Sequence, residues 1–231
     1  MRVRTVIFDW GGTLTPWHSV DHETLWRDVC VKHYAAARAA EVARALHAAE
    51  RDVWAGIELS QESATFAHVV ERARVSLPDD VSDAVLASYF EAWEPHTIID
   101  PDAPVLLREL RRRSIRIGVL SNTLWPRAVH DQIFVRDEVL DLIDGTVYSC
   151  ELRWTKPHPE AFRAAMAAVG EDDPASCVFV GDRPFDDVHG AKSIGMRAVL
   201  MQGSSVPPFA AAVPDATITR LSQLLPHLDR W

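Results

Sequence analysis

Along the 231-residue chain, two textures of apolar and polar positions alternate. Thr5-Val6-Ile7-Phe8 is a short β-branched run ending on Asp9, and it predicts a first strand over residues 3–9. After Pro16 the chain carries no Gly or Pro until Gly56, then none until Pro78 and none until Pro95, in stretches rich in Ala, Arg, Glu and Leu. These stretches read as helices. In the first, Leu25, Val29, Lys32 or His33 and Ala36 recur on one face, and Ser60 is placed to cap a second helix. From residue 97 the texture becomes apolar helix, β-branched run, loop, repeated. Val105–Arg113 precedes Ile115–Leu120, Ala128–Leu142 precedes Gly145–Ser149, Pro159–Val169 precedes Ser176–Val180, and Phe185–Ile194 precedes Arg197–Met201. Such alternation builds βαβ units and a parallel sheet. With strand one lying before the helical stretches and the remaining strands after them, the helices form an insertion. The expected fold is α/β: a doubly wound, Rossmann-like core of residues 1–16 and 97–231, with an all-helical cap of residues 17–96.

Composition narrows the function classes. A net charge of −9 provides no basic surface for a phosphate backbone, so nucleic acid is excluded as the expected partner. Cys30, Cys150 and Cys177 are too widely spaced for a zinc knuckle or a disulfide framework, and Cys177 lies in an apolar run that reads as core. No run of about 18 apolar residues and no signal-like leader occurs, so a soluble, cytoplasmic protein without membrane contact is expected. Oligomeric state is not legible.

Open α/β sheets bind ligands at the C-terminal ends of their strands, and four such ends carry complementary chemistry. Strand one delivers Asp9, followed by Gly11, Gly12 and Thr13. Strand 115–120 delivers Ser121 and Asn122. Lys156 follows strand 145–149 in TKPHPEAF, and strand 176–180 delivers GDRPFDD with Asp182, Asp186 and Asp187. Taken singly, these are turn residues, helix caps and a surface lysine. Taken in order, they form one carboxylate nucleophile, one hydroxyl, one lysine and a group of acids whose hard oxygens favour magnesium.

Asp9-x-Gly-Gly-Thr13, the strand ending in Ser121-Asn122, Lys156-Pro157 and Gly181–Met196 resemble the four ordered motifs of the haloacid dehalogenase superfamily, a group dominated by magnesium-dependent phosphatases. The resemblance implies that Asp9 attacks phosphorus and becomes an aspartyl phosphate, with Lys156 and Ser121 as the other catalytic groups. It implies a phosphate cradle of Ser121, Asn122, Gly12 and Thr13. Magnesium would sit on Asp9, Asp182, Asp187 and the carbonyl of Gly11, and Asp186 would support from behind. The substrate implied is a small phosphorylated metabolite.

Gly11 departs from the pattern, because most phosphatases of this family carry there an Asp that protonates the leaving oxygen. Its loss points to substrates whose leaving groups depart unaided, such as anomeric or acyl phosphates. Three alternatives stay open: a dehalogenase, a phosphonatase, for which Lys32 is the single cap lysine, and a non-catalytic binder of magnesium and phosphate. His18 and His22 are candidate substitute acids, although HSVDHE equally reads as the start of a helix. Trp10, Trp17, Trp125 and Trp154 lie near the motifs as ring-stacking or packing residues. Arg111-Arg112-Arg113 reads as a solvated helix terminus.

Overall fold

The structure is a computed structural model describing residues 2–75 and 79–231; the expected break at Pro78 lies outside them. Strand β1 (Thr5–Phe8) is followed by helices α1 (His22–Cys30), α2 (Ala36–Ser60), α3 (Phe66–Ala73) and α4 (Asp79–Trp93). The chain then alternates through α5 (Ala103–Arg112), β2 (Arg116–Ser121), α6 (Arg127–Arg136), β3 (Gly145–Tyr148), α7 (Pro159–Ala168), β4 (Cys177–Gly181), α8 (Gly190–Ser193) and β5 (Arg197–Met201). It ends with β6 (Ala216–Ile218) and α9 (Leu224–Leu228). Strand β6 was not anticipated from its sequence.

All strand pairings are parallel, in the order β3-β2-β1-β4-β5-β6. Alternate side chains of each strand face opposite sides, so both faces are covered. Val6, Phe8, Val119, Val178 and Val180 join a cluster with α5 and α9, while Ile7, Leu120, Phe179 and Ala198 pack on α7. Because β1 is flanked by β2 on one side and β4 on the other, the order reverses direction at β1, and a crevice opens at its C-terminal end. That topology places Asp9 at the crevice.

Helices α1 to α4 bury a cluster of their own, built from Trp26, Val29, Val42, Leu46, Val53, Phe66, Val69 and Tyr89. Leu124, Trp125 and Ile133 of the sheet-bearing part join this cluster and seat the helices over the strand ends. Backbone bonds add a clamp. Phe66 N–H donates to the Leu124 carbonyl (2.9 Å), Ser63 N–H to Arg153 (2.8 Å) and Thr155 N–H to Gln61 (2.9 Å).

Several expected elements differ. Helix α2 runs through Gly56 to Ser60, because a stripe of Ala39, Val42, Leu46, Val53 and Ile57 is buried along it and outweighs the roughly 1 kcal/mol cost of one interior glycine. Ser60 therefore ends a helix instead of capping one: its hydroxyl bonds back to the Gly56 carbonyl at 2.9 Å. Helix α1 stops at Cys30, which leaves Lys32 and Ala36 off its buried face and exposed. The helix expected over 128–142 ends at Arg136, where Glu138 takes a left-handed φ of 56°. The segment expected as helix 185–194 opens as a π-turn over Pro184–His189.

Candidate active site

Asp9 is the first residue beyond β1, its amide held by the Val180 carbonyl at 2.8 Å, and it is 5% exposed. Lys156 reaches it from the loop after β3. The Lys156 Nζ donates to Asp9 Oδ1 at 2.6 Å and to Asp187 Oδ1 at 2.7 Å, and the lysine is itself buried. Asp182 follows β4 directly. Carboxylate oxygens of Asp9, Asp182 and Asp187 lie within 4.8 Å of one another. Three buried acids thus share one lysine, and the electrostatics follow from that imbalance. Burial, together with the nearby Asp9 and Asp187, pushes Asp182 up to about 8. Burial also raises Asp9, against the pull of Lys156. Burial opposes the charge of Lys156, but Asp187 and Asp9 more than offset it, and the ammonium is held above its usual range.

The donor set suits a hard cation. Both carboxylate oxygens of Asp182 are buried without a hydrogen-bond partner, an arrangement that a divalent cation relieves. Asp187 is already engaged through Lys156 and, on Oδ2, the Arg183 amide at 2.9 Å. An ionised carboxylate has about four acceptor positions, so two remain on Asp187. Asp186 stands outside the cluster, 3.2 Å from the Arg183 guanidinium, and burial pushes it up to about 6.

Two glycines make this closeness possible. A Cβ on Gly181 would stand 2.3 Å from the Asp187 carboxylate, and one on Gly12, whose φ is +82°, would stand 2.6 Å from Asp182. At Gly11 a Cβ would meet nothing within 4 Å, and its φ lies outside the left-handed range.

Above the carboxylates opens a cavity of about 390 Å³ between the strand ends and the inserted helices. Asp9, Gly11, Gly12, Ser121, Asn122 and Lys156 line its floor. Thr13 is buried beneath, its hydroxyl without a partner. Asn122 is occupied: its Nδ2 donates to the Lys156 carbonyl at 2.9 Å and its Oδ1 accepts the Lys156 amide at 2.8 Å. Its side chain therefore fixes the lysine backbone.

His18 and His22 both line the cavity. His22 also begins α1 behind an Asp21 cap, with Nδ1 3.5 Å from Glu50. Trp10, Trp17 and Trp125 are wall residues, whereas Trp154 stacks on His158 away from the cavity. Lys32 is not among the cavity residues. Arg111, Arg112 and Arg113 pair with Asp144, Glu109 and Asp229 on the far side. Glu50, Trp54, Tyr89 and Trp93 also line the cavity, and the motifs do not reveal them. The legible signal was Glu50 itself, an acid inside the apolar stripe of α2 between Leu46 and Val53.

The pattern of haloacid dehalogenase-like hydrolases matches residues 3–195. A phosphatase of Mycobacterium tuberculosis is 37% identical over 130 residues, 56% of this chain and 55% of that protein. The chain spans about half the length of the curated relatives it matches. A phosphatase of this superfamily from Thermococcus onnurineus superposes with a TM-score of 0.69 at 22% identity, covering 98% of both chains. A 2-haloacid dehalogenase from Pseudomonas syringae gives 0.70 at 22% identity over 99% of both, so the fold is common to both chemistries. With its parallel sheet, its ordered motifs and the match over 193 consecutive positions, this chain belongs to the haloacid dehalogenase-like hydrolase family.

Proposed function

We propose that the protein is a magnesium-dependent hydrolase of small phosphate esters, working through an aspartyl phosphate on Asp9 and favouring good leaving groups. The observation that carries this reading is the buried set of three carboxylates, two of them bonded by one lysine, at a cavity that Asp9 and Lys156 line. Phosphatase-named relatives support it.

In this reading Asp9, Asp182, Asp187 and the Gly11 carbonyl would hold magnesium. When bound, the ion supplies charge that lets an anionic ester approach anionic carboxylates. A carboxylate oxygen of Asp9 attacks phosphorus in line, forming the Asp9–phosphorus bond as the ester P–O bond breaks. Lys156 orients that carboxylate and neutralises the transferring group, and Ser121 donates its hydroxyl to a phosphoryl oxygen. Asn122 acts on Lys156 through its backbone. The departing oxygen leaves as an anion and takes its proton from water, because Gly11 offers none. Water then hydrolyses the aspartyl phosphate, releasing phosphate. Residues 17–96 serve as a cap that closes the cavity.

The test is hydrolysis of 4-nitrophenyl phosphate. EDTA should abolish it, magnesium restore it and calcium restore it poorly, since calcium takes larger and looser coordination. Asp9→Asn should remove activity while circular dichroism and the unfolding midpoint stay native. Metal-independent release of halide from a 2-haloacid, with no phosphate release, would establish dehalogenase chemistry in its place.

A further inference from the structure

The insert wall of the cavity has chemistry that phosphate transfer does not use. Glu50 on α2 has a side chain only 5% exposed, yet it faces the cavity. Its Oε1 accepts the Tyr89 hydroxyl at 2.7 Å, and its Oε2 accepts the Trp26 indole at 2.9 Å, with His22 Nδ1 at 3.5 Å. Tyr89 and Trp26 are neutral donors, so they satisfy lone pairs without cancelling the charge. Of about four acceptor positions on a carboxylate, one on Oε1 remains open. Burial opposes ionisation of Glu50, but the bonds from His22, Tyr89 and Trp26 outweigh it and hold the carboxyl below its usual range.

Around this acid the wall is aromatic. Trp54, Tyr89 and Trp93 line it with Glu50, and Trp17 lies at the cavity rim, 45% exposed. Trp17 and Trp54 make no aromatic or cation–π ring contact among the described residues, and Trp54 packs against the helical cluster while lining the cavity. The cavity's permanent cations, Lys156 and Arg183, belong to the strand-end loops, where they pair with Asp9 and Asp187 and with Asp186. His22, half-exposed, is the one basic side chain paired with Glu50 among the described residues.

A ligand anchored by phosphate over Asp9 thus meets a buried negative charge and an aromatic wall at its other end. A second anion is repelled there. A hydroxyl gains from the carboxylate alone, whereas an alkylammonium gains from both the carboxylate and the ring quadrupoles. We propose that the substrate is a phosphate ester whose other end carries an ammonium group, held by Glu50 with Trp54, Tyr89 and Trp93. This rests on the phosphatase reading only for the place of the phosphate.

The experiment uses matched aryl phosphates in which a para side chain ends in ammonium or in the isosteric methyl: 4-(aminomethyl)phenyl against 4-ethylphenyl phosphate, and 4-(2-aminoethyl)phenyl against 4-propylphenyl phosphate. Leaving-group acidity is nearly constant within the second pair, so its kcat/KM ratio reads the distal site. The ammonium member of at least one pair should be favoured about tenfold or more. Glu50→Gln, whose carbonyl can still accept the Trp26 indole while its amide donates to the Tyr89 oxygen, should bring the ratio near one, and Trp54→Leu should reduce it in a protein whose unfolding midpoint is native.

Dissociation constants of the same compounds for the Asp9→Asn protein, read by tryptophan fluorescence, keep the two readings separate. Hydrolysis of every compound without ammonium preference, in wild type and Glu50→Gln alike, would overturn the ammonium site and leave the phosphatase standing. Absence of hydrolysis with ammonium-selective binding that Glu50→Gln removes would do the reverse. Preference for a hydroxyl-terminated isostere, 4-(hydroxymethyl)phenyl phosphate, over its ammonium partner would assign Glu50 to a polyol and overturn the proposal.

Discussion

At the scale of single residues, the space beside Gly11 decides the chemistry that can be tested. A Cβ at that position meets nothing within 4 Å and requires no left-handed backbone, so Gly11→Asp should fold and keep the carboxylate cluster. Wild-type rates should then fall steeply as the leaving group becomes more basic, fast for aryl and acyl phosphates and slow for alkyl ones. Gly11→Asp should flatten that slope and raise alkyl ester turnover, within the roughly 10²–10⁴-fold span of a positioned acid. A flat wild-type slope with chemistry rate-limiting would mean that another cavity residue already delivers the proton, and His18 and His22 would be the ones to substitute. Asn122 makes a complementary case. Since both of its amide atoms hold the Lys156 backbone, Asn122→Ala should lower kcat about tenfold or more with KM little changed. A rise in KM alone would instead make Asn122 a direct substrate ligand.

At the scale of elements, what the sequence shows depends on whether a local or a distant partner determines the structure. The run Thr5–Phe8, the run ending at Ser121 and Cys177–Gly181 are readable because β-branched residues flanked by turn chemistry need only the sheet. Asp9 and Asp182 were readable for the same reason, each directly after a strand, and Lys156 and Asp187 as members of the loops that follow strands. The length of α2 was not, because burial against α1 and α3 carries it through Gly56. Nor was the π-turn at Pro184–His189, whose extra residue helps to bring Asp187 under Lys156. Glu171 shows the same dependence on distant partners. It follows α7 and joins Arg4, just before β1, at 2.8 Å to Arg116, at the start of β2, at 2.6 Å. Arg4 draws its carboxyl down to about 2 from an ordinary 4.5. A depressed carboxylate contributes stability that is fully present above the unfolded pKa and is lost as pH falls through the folded one. Glu171→Gln should therefore lower the unfolding midpoint at neutral pH, by roughly 2–4 °C given the half-exposed arginines. The gap from wild type should hold down to about pH 5 and close toward pH 2. A gap independent of pH would mean that packing of the side chain, and not its charge, is what matters.

At the scale of the whole molecule, the cavity has two walls of different origin. The sheet supplies Asp9, Ser121 and Lys156, and the inserted helices supply Glu50, Trp54, Tyr89 and Trp93. Among the described residues, the carboxylates gathered closely enough to hold a metal are all borne by the sheet part. If this division assigns chemistry to one wall and selection to the other, a ligand small enough to touch only the floor should not register changes in the insert. Inorganic phosphate is such a ligand, since it is the transferred group with nothing attached. Its inhibition constant, measured with magnesium present, should be the same within about twofold in wild type, Trp54→Ala and Glu50→Gln, while KM for an aryl phosphate rises about tenfold in Trp54→Ala as the ring loses its stacking surface. Lys156→Met should do the opposite, weakening phosphate and aryl ester together, because both place the same charge against the same ammonium. The control is the clamp at Ser63 and Phe66: the unfolding midpoint must stay native, or a loosened insert would change both constants at once. Were phosphate inhibition to weaken in Trp54→Ala as much as the aryl ester KM rises, with the midpoint unchanged, the insert would be shaping the phosphate site itself and the two walls would act as one.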